Sequence, residues 1–195
     1  MVLSDVDIEG TISTGLIQIE PFDKSRLQPA SIDLTLGNIF TGLHPAWNGE
    51  DVDLKKDQAE RFIVIEANDS GYPLMPGQFV LGHTAEMVGL SRCYCGRVEG
   101  KSSLGRLGLL VHLTAGFIDP GFYGHITLEM VNLLNVPIIL YPGMPVAQLC
   151  FMRLTSLPSV GYGEGSLGSK YQGQIGPTVS QFHKNFMKGL IRNGD

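Results

Sequence analysis

Two hydroxyls, an ammonium and a guanidinium fall within six residues in Glu99-Gly-Lys-Ser-Ser-Leu-Gly-Arg106, bracketed by Gly100 and Gly105. Glycine lets backbone N–H groups approach an anion closely, and the two cations supply neutralising charge. Lys101, Ser102, Ser103, Leu104, Gly105 and Arg106 are therefore a candidate anion site, the alternative being a polar turn. The stretch is not the end of a P-loop. That motif needs glycine at position 95, where Cys95 stands, and Gly96 comes one place late.

A second constellation is Asp119-Pro-Gly-Phe-Tyr-Gly-His-Ile-Thr-Leu-Glu129. If His125 to Asn132 is a strand, Ile126, Leu128 and Met130 face one way, and His125, Thr127, Glu129 and Val131 the other. Glu129 is then a carboxylate midway along an otherwise apolar strand. It is either a solvent-facing residue of an amphipathic sheet or a semi-buried acid or base. Asp119 precedes a Pro-Gly turn and can be turn chemistry alone. His112 and His125 have apolar neighbours, as satisfied core or rim histidines do. Gln148, inside an apolar run, is an edge-facing amide or a buried one in need of partners.

The elements that position these groups are mostly short strands. Ser4-Asp-Val-Asp7 reads as an N-cap with an acidic first turn, Ile8 and Ile12 form one apolar stripe, and Gly15 stops the helix. Leu16 to Ile19 and Ser31 to Phe40 alternate as strands. Further strands are expected at Phe62 to Ile65, Gln78 to Leu81, Leu109 to Thr114, His125 to Asn132, Val136 to Leu140 and Val146 to Leu154. Turns fall at Pro76-Gly77, Pro120-Gly121 and Pro142-Gly143. Asn48 to Glu60 is polar and aperiodic, a loop. Without βαβ alternation, the pattern is that of a β-sandwich or barrel. Gly161 to Gly176 holds six glycines among Tyr162, Glu164, Lys170, Tyr171, Gln172 and Gln174, either a linker or a mobile flap. Gln181 to Ile191 is expected to close the chain as a short helix, with Phe182, Phe186 and Leu190 on one face.

Composition narrows the partners. A chain of 195 residues with 43% hydrophobic residues fits a single domain, here 1–195. A net charge of -5 offers no basic face for a nucleic acid, so any phosphate is met by a few local cations, which suits a small ligand. Cys93, Cys95 and Cys150 cannot make a closed disulfide framework, and Cys93-x-Cys95 lacks zinc-ligand spacing. Reduced thiols, no targeting segment and no run of transmembrane length point to the cytoplasm and away from membranes.

Together, Gly100-Lys-Ser-Ser-Leu-Gly-Arg106, Thr114-Ala-Gly-Phe-Ile-Asp-Pro-Gly121 and Thr127-Leu-Glu129 closely resemble the dCTP deaminase family of the dUTPase-like superfamily. Gln28-Pro-Ala-Ser-Ile-Asp33, Pro142-Gly-Met144 with Gln148, and Ser169-Lys-Tyr-Gln-Gly-Gln174 extend the resemblance in order and spacing. It implies a distorted β-barrel or jelly-roll-like subunit in a homotrimer, with sites shared between neighbours. It implies that Glu129 activates the water attacking C4 of cytosine, that Ser102 and Arg106 hold and polarise the reacting groups, and that Asp119 meets the deoxyribose. Lys101, Ser103, Leu104, Gly105 and Ala115 are then also substrate-binding, and Thr127, Leu128 and Glu129 line the base. Gln148, Tyr162, Lys170 and Gln174 close over the nucleotide, the last three from the mobile 161–176 flap.

Zinc deaminases show H-x-E with P-C-x-x-C, which this sequence lacks, so zinc-free chemistry is expected. Mg2+ would enter with the triphosphate. The family includes enzymes that stop at dUTP and bifunctional ones that go on to dUMP and diphosphate. The former carry a bulkier His-Arg-like pair where this chain has Gly116-Phe117, so the resemblance favours dUMP formation, with Gly116 leaving room for a second water near Asp119. A dUTP-releasing deaminase, a plain dUTPase and a non-catalytic nucleotide-binding regulator are the alternatives. The family also suggests dTTP as a feedback inhibitor.

Overall fold

The computed structural model describes residues 1–47 and 49–187. The chain opens with helix α1 (Asp5–Ser13), then β1 (Ile17–Glu20), β2 (Leu27–Gln28), β3 (Ser31–Thr35), β4 (Ile39–Leu43), β5 (Phe62–Glu66) and β6 (Tyr72–Leu74). It continues through β7 (Phe79–Leu90), β8 (Tyr94–Gly100), the one-turn helix α2 (Ser102–Gly105), β9 (Leu109–Leu110) and β10 (Phe117–Ile118). The last strands are β11 (Tyr123–Asn132), β12 (Ile138–Leu140) and β13 (Pro145–Arg153). The N-cap expected at Ser4 starts α1, where it forms a capping box with Asp7, and Ile8 anchors the helix in the core.

The fold is mostly β and jelly-roll-like, but its sheets do not close into a barrel. One sheet runs β5-β4-β7-β11-β9, with β1 also on β7, a second runs β10-β8-β13-β3-β2, and β12 pairs with β6 in a small third sheet. Every pairing is antiparallel. Phe40, Leu128 and Met130 from the first sheet and Leu34, Leu149 and Phe151 from the second are fully buried in one core. Truncating any of them to alanine should cost about 2–5 kcal/mol. A buried carboxylate also ties the sheets: Glu86 on β7 meets the Arg26 guanidinium at 2.6 Å and accepts from the Thr35 backbone and hydroxyl.

Several expected elements change. Ser31 to Phe40 is two strands in different sheets, because the chain crosses between layers at Gly37. A Cβ there would lie 2.1 Å from the His83 ring, so only glycine lets the backbone pass. Gln78 to Leu81 grows to the twelve residues of β7, whose centre is buried on both faces and hides the alternation that marks a strand. Leu109 to Thr114 shrinks to β9, since residues 111–116 turn away toward a cavity. Strand β8, with its polar Arg97 and Glu99, is an addition. Phe182–Phe186 is a 3-10 turn with the two rings edge to face at 5.8 Å, and residues 188–191 of the expected helix lie outside the described residues. No helix among the described residues is long and apolar enough to cross a membrane.

Candidate active site

Strand β11 alternates between partly buried and fully buried residues as its period predicts, placing Thr127 and Glu129 on the face away from the core. Leu128 points the other way and is fully buried, so its side chain lines nothing a ligand could reach; only its backbone is available. The register against β7 shifts between His125 and Thr127, and the Thr84 hydroxyl accepts the Ile126 N–H displaced by that bulge at 3.0 Å.

Thr127 and Glu129 border a cavity of about 340 Å³ together with Ala115, Gly116, Phe117 and Asp119. One carboxylate oxygen of Glu129 accepts from both the backbone N–H and the hydroxyl of Thr114, at 3.2 and 3.3 Å. The other oxygen is left for a water or a base. Thr114 belongs to the quoted motif, but sequence reasoning gave it no role, because nothing in residue spacing says that a turn fifteen residues upstream folds onto the strand.

That turn is tightly constrained. Ala115 has φ +49, a left-handed conformation uncommon outside glycine. Gly116 lies against β8: its carbonyl accepts from Val98 N–H at 2.8 Å, and a Cβ would come within 2.6 Å of the Val98 carbonyl oxygen. The need for glycine here is therefore set by the backbone behind it.

The 161–176 segment is docked on its own chain. Tyr162 N–H donates to the Pro120 carbonyl at 2.7 Å, and its ring meets Phe122 edge to face at 5.8 Å. Burial pushes the Tyr162 phenol above its ordinary pKa, while the backbone N–H groups of Tyr171 and Lys170 oppose the shift. Tyr162, Tyr171 and Gln174 border the Glu129 cavity. Lys170 instead borders a hollow of about 410 Å³ that also includes Asp119 and Tyr162.

The anion loop stands apart. Lys101, Ser102, Ser103, Gly105 and Gln148 border a third hollow of about 400 Å³, whose lining shares only His112 with that of the Glu129 cavity. Lys101 is not free: its ammonium is 2.6 Å from Asp33, the last residue of the Gln28-to-Asp33 motif. Ser102 and Arg106 are exposed, and Arg106 makes no ion pair among the described residues. Leu104 packs on the core, and neither it nor Arg106 borders these three hollows. Within one chain the guanidinium thus does not border the cavity in front of the carboxylate. Among the described residues no group of His, Cys, Asp and Glu is placed to hold a metal ion.

Residues 2–154 match the family model described as dCTP deaminase-like. A protein of Corynebacterium jeikeium named dCTP deaminase, dUMP-forming, is 50% identical over 187 residues, covering 95% of this chain and 99% of its own. The Mycolicibacterium vanbaalenii protein of the same name is 49% identical over 198 residues, covering 96% and 99%. Among solved structures, the 2'-deoxycytidine 5'-triphosphate deaminase of Agrobacterium tumefaciens superposes with a TM-score of 0.62 at 24% identity. That match covers 78% of this chain and 48% of the other, so it spans about half of that longer chain and speaks for the fold.

Proposed function

This chain belongs to the dCTP deaminase-like family, and we infer from that premise how its residues carry out dUMP-forming deamination of dCTP. The net reaction takes dCTP and two waters to dUMP, diphosphate and ammonia. The observation that carries the reading at the level of residues is the Glu129 carboxylate, held by Thr114 in one cavity with Asp119.

In the proposed mechanism, Glu129 takes a proton from the water that attacks C4 of the cytosine ring. The same carboxyl then delivers a proton to the departing amino group, so one residue serves both transfers. The Thr114 donors fix its orientation. Thr127 and the β11 backbone line the base, and Asp119 meets the deoxyribose. Arg106 and Ser102 stabilise charge as the tetrahedral centre forms. In one chain neither borders the Glu129 cavity, which supports a homotrimer in which a neighbouring copy brings its α2 loop to that cavity.

Closure of the 161–176 segment places Tyr162, Lys170 and Gln174 over the nucleotide and excludes bulk water. A second water then attacks the triphosphate in the same site, in the space beside Gly116 and Asp119. Mg2+ enters as part of the triphosphate substrate, where it neutralises phosphate charge. We read residues 1–195 as one domain, place it in the cytoplasm with its nucleotide substrate, and assign dTTP, if it inhibits, to this same site.

Incubation with dCTP and magnesium, with chromatography of the products, tests the reading. Equal amounts of dUMP and diphosphate are expected, with little free dUTP. Accumulation of dUTP would overturn dUMP formation, and unreacted dCTP would leave the non-catalytic alternative standing.

A further inference from the structure

His125 lies one residue outside the cavity-lining stretch of β11, and nothing in the mechanism above uses it. Yet the flap is fastened around it. Its backbone N–H donates to the Gln174 carbonyl at 3.0 Å, and the Gln174 side-chain amide donates back to the His125 carbonyl at 2.6 Å. The Gly176 N–H donates to His125 Nδ1 at 2.9 Å. On either side, Gly173 N–H donates to the Tyr123 carbonyl at 2.7 Å and Thr178 N–H to the Thr127 hydroxyl at 3.2 Å. Among these contacts the imidazole is the one acceptor that can titrate.

That acceptor exists only while Nδ1 carries a lone pair, which fixes the ring as neutral with its proton on Nε2. The other face of the ring is occupied as well. His83 stacks on it with centroids 5.0 Å apart and planes 25° from parallel. His83 is buried, donates from Nδ1 to the Thr84 carbonyl at 2.7 Å, and is pinned above Gly37. A proton on His125 Nδ1 would set an N–H against the Gly176 N–H and a cation against a buried neighbouring ring.

We propose that His125 is a positioning residue that closes the 161–176 segment over the nucleotide only while its ring is neutral, by accepting the Gly176 N–H. The proposal rests on the reading of that segment as a lid. Burial lowers the His125 pKa below its ordinary value of 6.5, and the nearby Glu86 carboxylate opposes this more weakly. Burial likewise lowers that of His83, with the Thr84 carbonyl opposing and His125 adding to the shift. From β7 the ring therefore faces His83 and Glu86, the latter already paired with Arg26. Its own strand carries Tyr123 and Glu129, and the flap residues from Gln172 to Thr178 carry no ionisable group. The closed state binds fewer protons than the open one, so closure is complete above the ordinary histidine range and lost as pH falls below it.

The test is KM and kcat for dCTP across pH in wild type, His125→Gln and His125→Phe. The glutamine oxygen can accept the Gly176 N–H at every pH, whereas phenylalanine never can. Ionisation of the substrate phosphates is common to all three and cancels in ratios. As pH falls from about 8 to about 5.5, the wild-type KM should rise about fivefold to tenfold relative to His125→Gln, the size of one lost hydrogen bond, with the kcat ratio flat. His125→Phe should show the raised KM already at the upper end. A pH-independent ratio, or a wild-type KM in His125→Phe, would overturn the proposal. Hydrogen exchange at the Gly176 amide in the wild-type protein supplies a readout without variants or turnover. Its protection, relative to the unstructured rate at each pH, should collapse on acidification, and constant protection would overturn the latch. Lack of turnover in wild type would instead fail the proposed activity and leave that exchange measurement decisive.

Discussion

Glu129 and Ser102 come from motifs of similar length and similar chemistry, but the folded chain treats them differently. Around Glu129, a long central strand, a strained turn and the docked 161–176 segment converge. The carboxylate has two fixed donors, and a cavity stands in front of it. Around Ser102 there is one exposed helical turn, no side-chain cap, and an Arg106 without an ion-pair partner among the described residues. Among the described residues the one side-chain hydrogen bond of that loop is Lys101 to Asp33. Preorganised groups do not have to reorganise as charge develops, while a guanidinium left in solvent contributes little until another surface desolvates it. The contrast suggests that one region is finished by the chain alone and the other by assembly.

The largest effect should come from the finished region. Glu129→Gln should fold and bind dCTP yet lose deamination by about a hundredfold or more, since the proton shuttle is gone. Near-normal turnover would remove Glu129 from the mechanism. Arg106→Ala should be similarly impaired, and co-refolding the two variants tests the comparison itself. If the halves come from different subunits, random mixing should recover roughly a quarter of the wild-type sites. A mixture as inactive as its components would place both halves within one chain.

Removing the flap is the next strongest probe. A chain ending before Gly161 loses Tyr162, Lys170 and Gln174 and uncovers Phe122, and its KM for dCTP should rise about tenfold or more with the fold intact. Unchanged affinity would make the segment a linker.

Gly116→Ala separates two explanations of one residue. If Gly116 merely admits a second water, triphosphate hydrolysis should fall while deamination persists. The 2.6 Å approach to the Val98 carbonyl argues that even a methyl displaces the Thr114-to-Asp119 turn. Both activities should therefore drop together, by about tenfold, since the turn carries the Glu129 donors. Selective loss of hydrolysis, measured as dUTP accumulating, would restore the water-access account. The mildest change, Thr114→Val, keeps the backbone donor and the shape but deletes the hydroxyl. A fall in kcat of about fivefold with unchanged KM is expected, and no change would show that the N–H alone holds the carboxylate.

Much of the chemistry was legible because it is local. The Ser4 cap, the Pro-Gly turns and the alternation along β11 each follow from residues a few places apart, and the structure repeats them. The Leu128 assignment exposes the limit of motif reading. It belongs to Thr127-Leu-Glu129 by sequence, but the same alternation that turns Glu129 outward sends its side chain into the core. Long-range partners had no such signal. Thr114 on Glu129, Asp33 on Lys101 and His125 under Gly176 join residues 15, 68 and 51 positions apart. Strand β7 was hidden for the opposite reason, since a strand buried on both faces loses the period that announces it.

Residue types and their period are enough for the strand-rich class, the family resemblance and the candidate reactive groups, because they are properties of short stretches. Which groups face one another is a property of the folded chain. Only folding brings the turn at Thr114, the strand of Glu129 and the segment at Gly176 together, and it leaves Arg106 off the Glu129 cavity. Hydrogen bonds act over about 3 Å, and no spacing along the chain fixes distances of that size between residues so far apart in sequence.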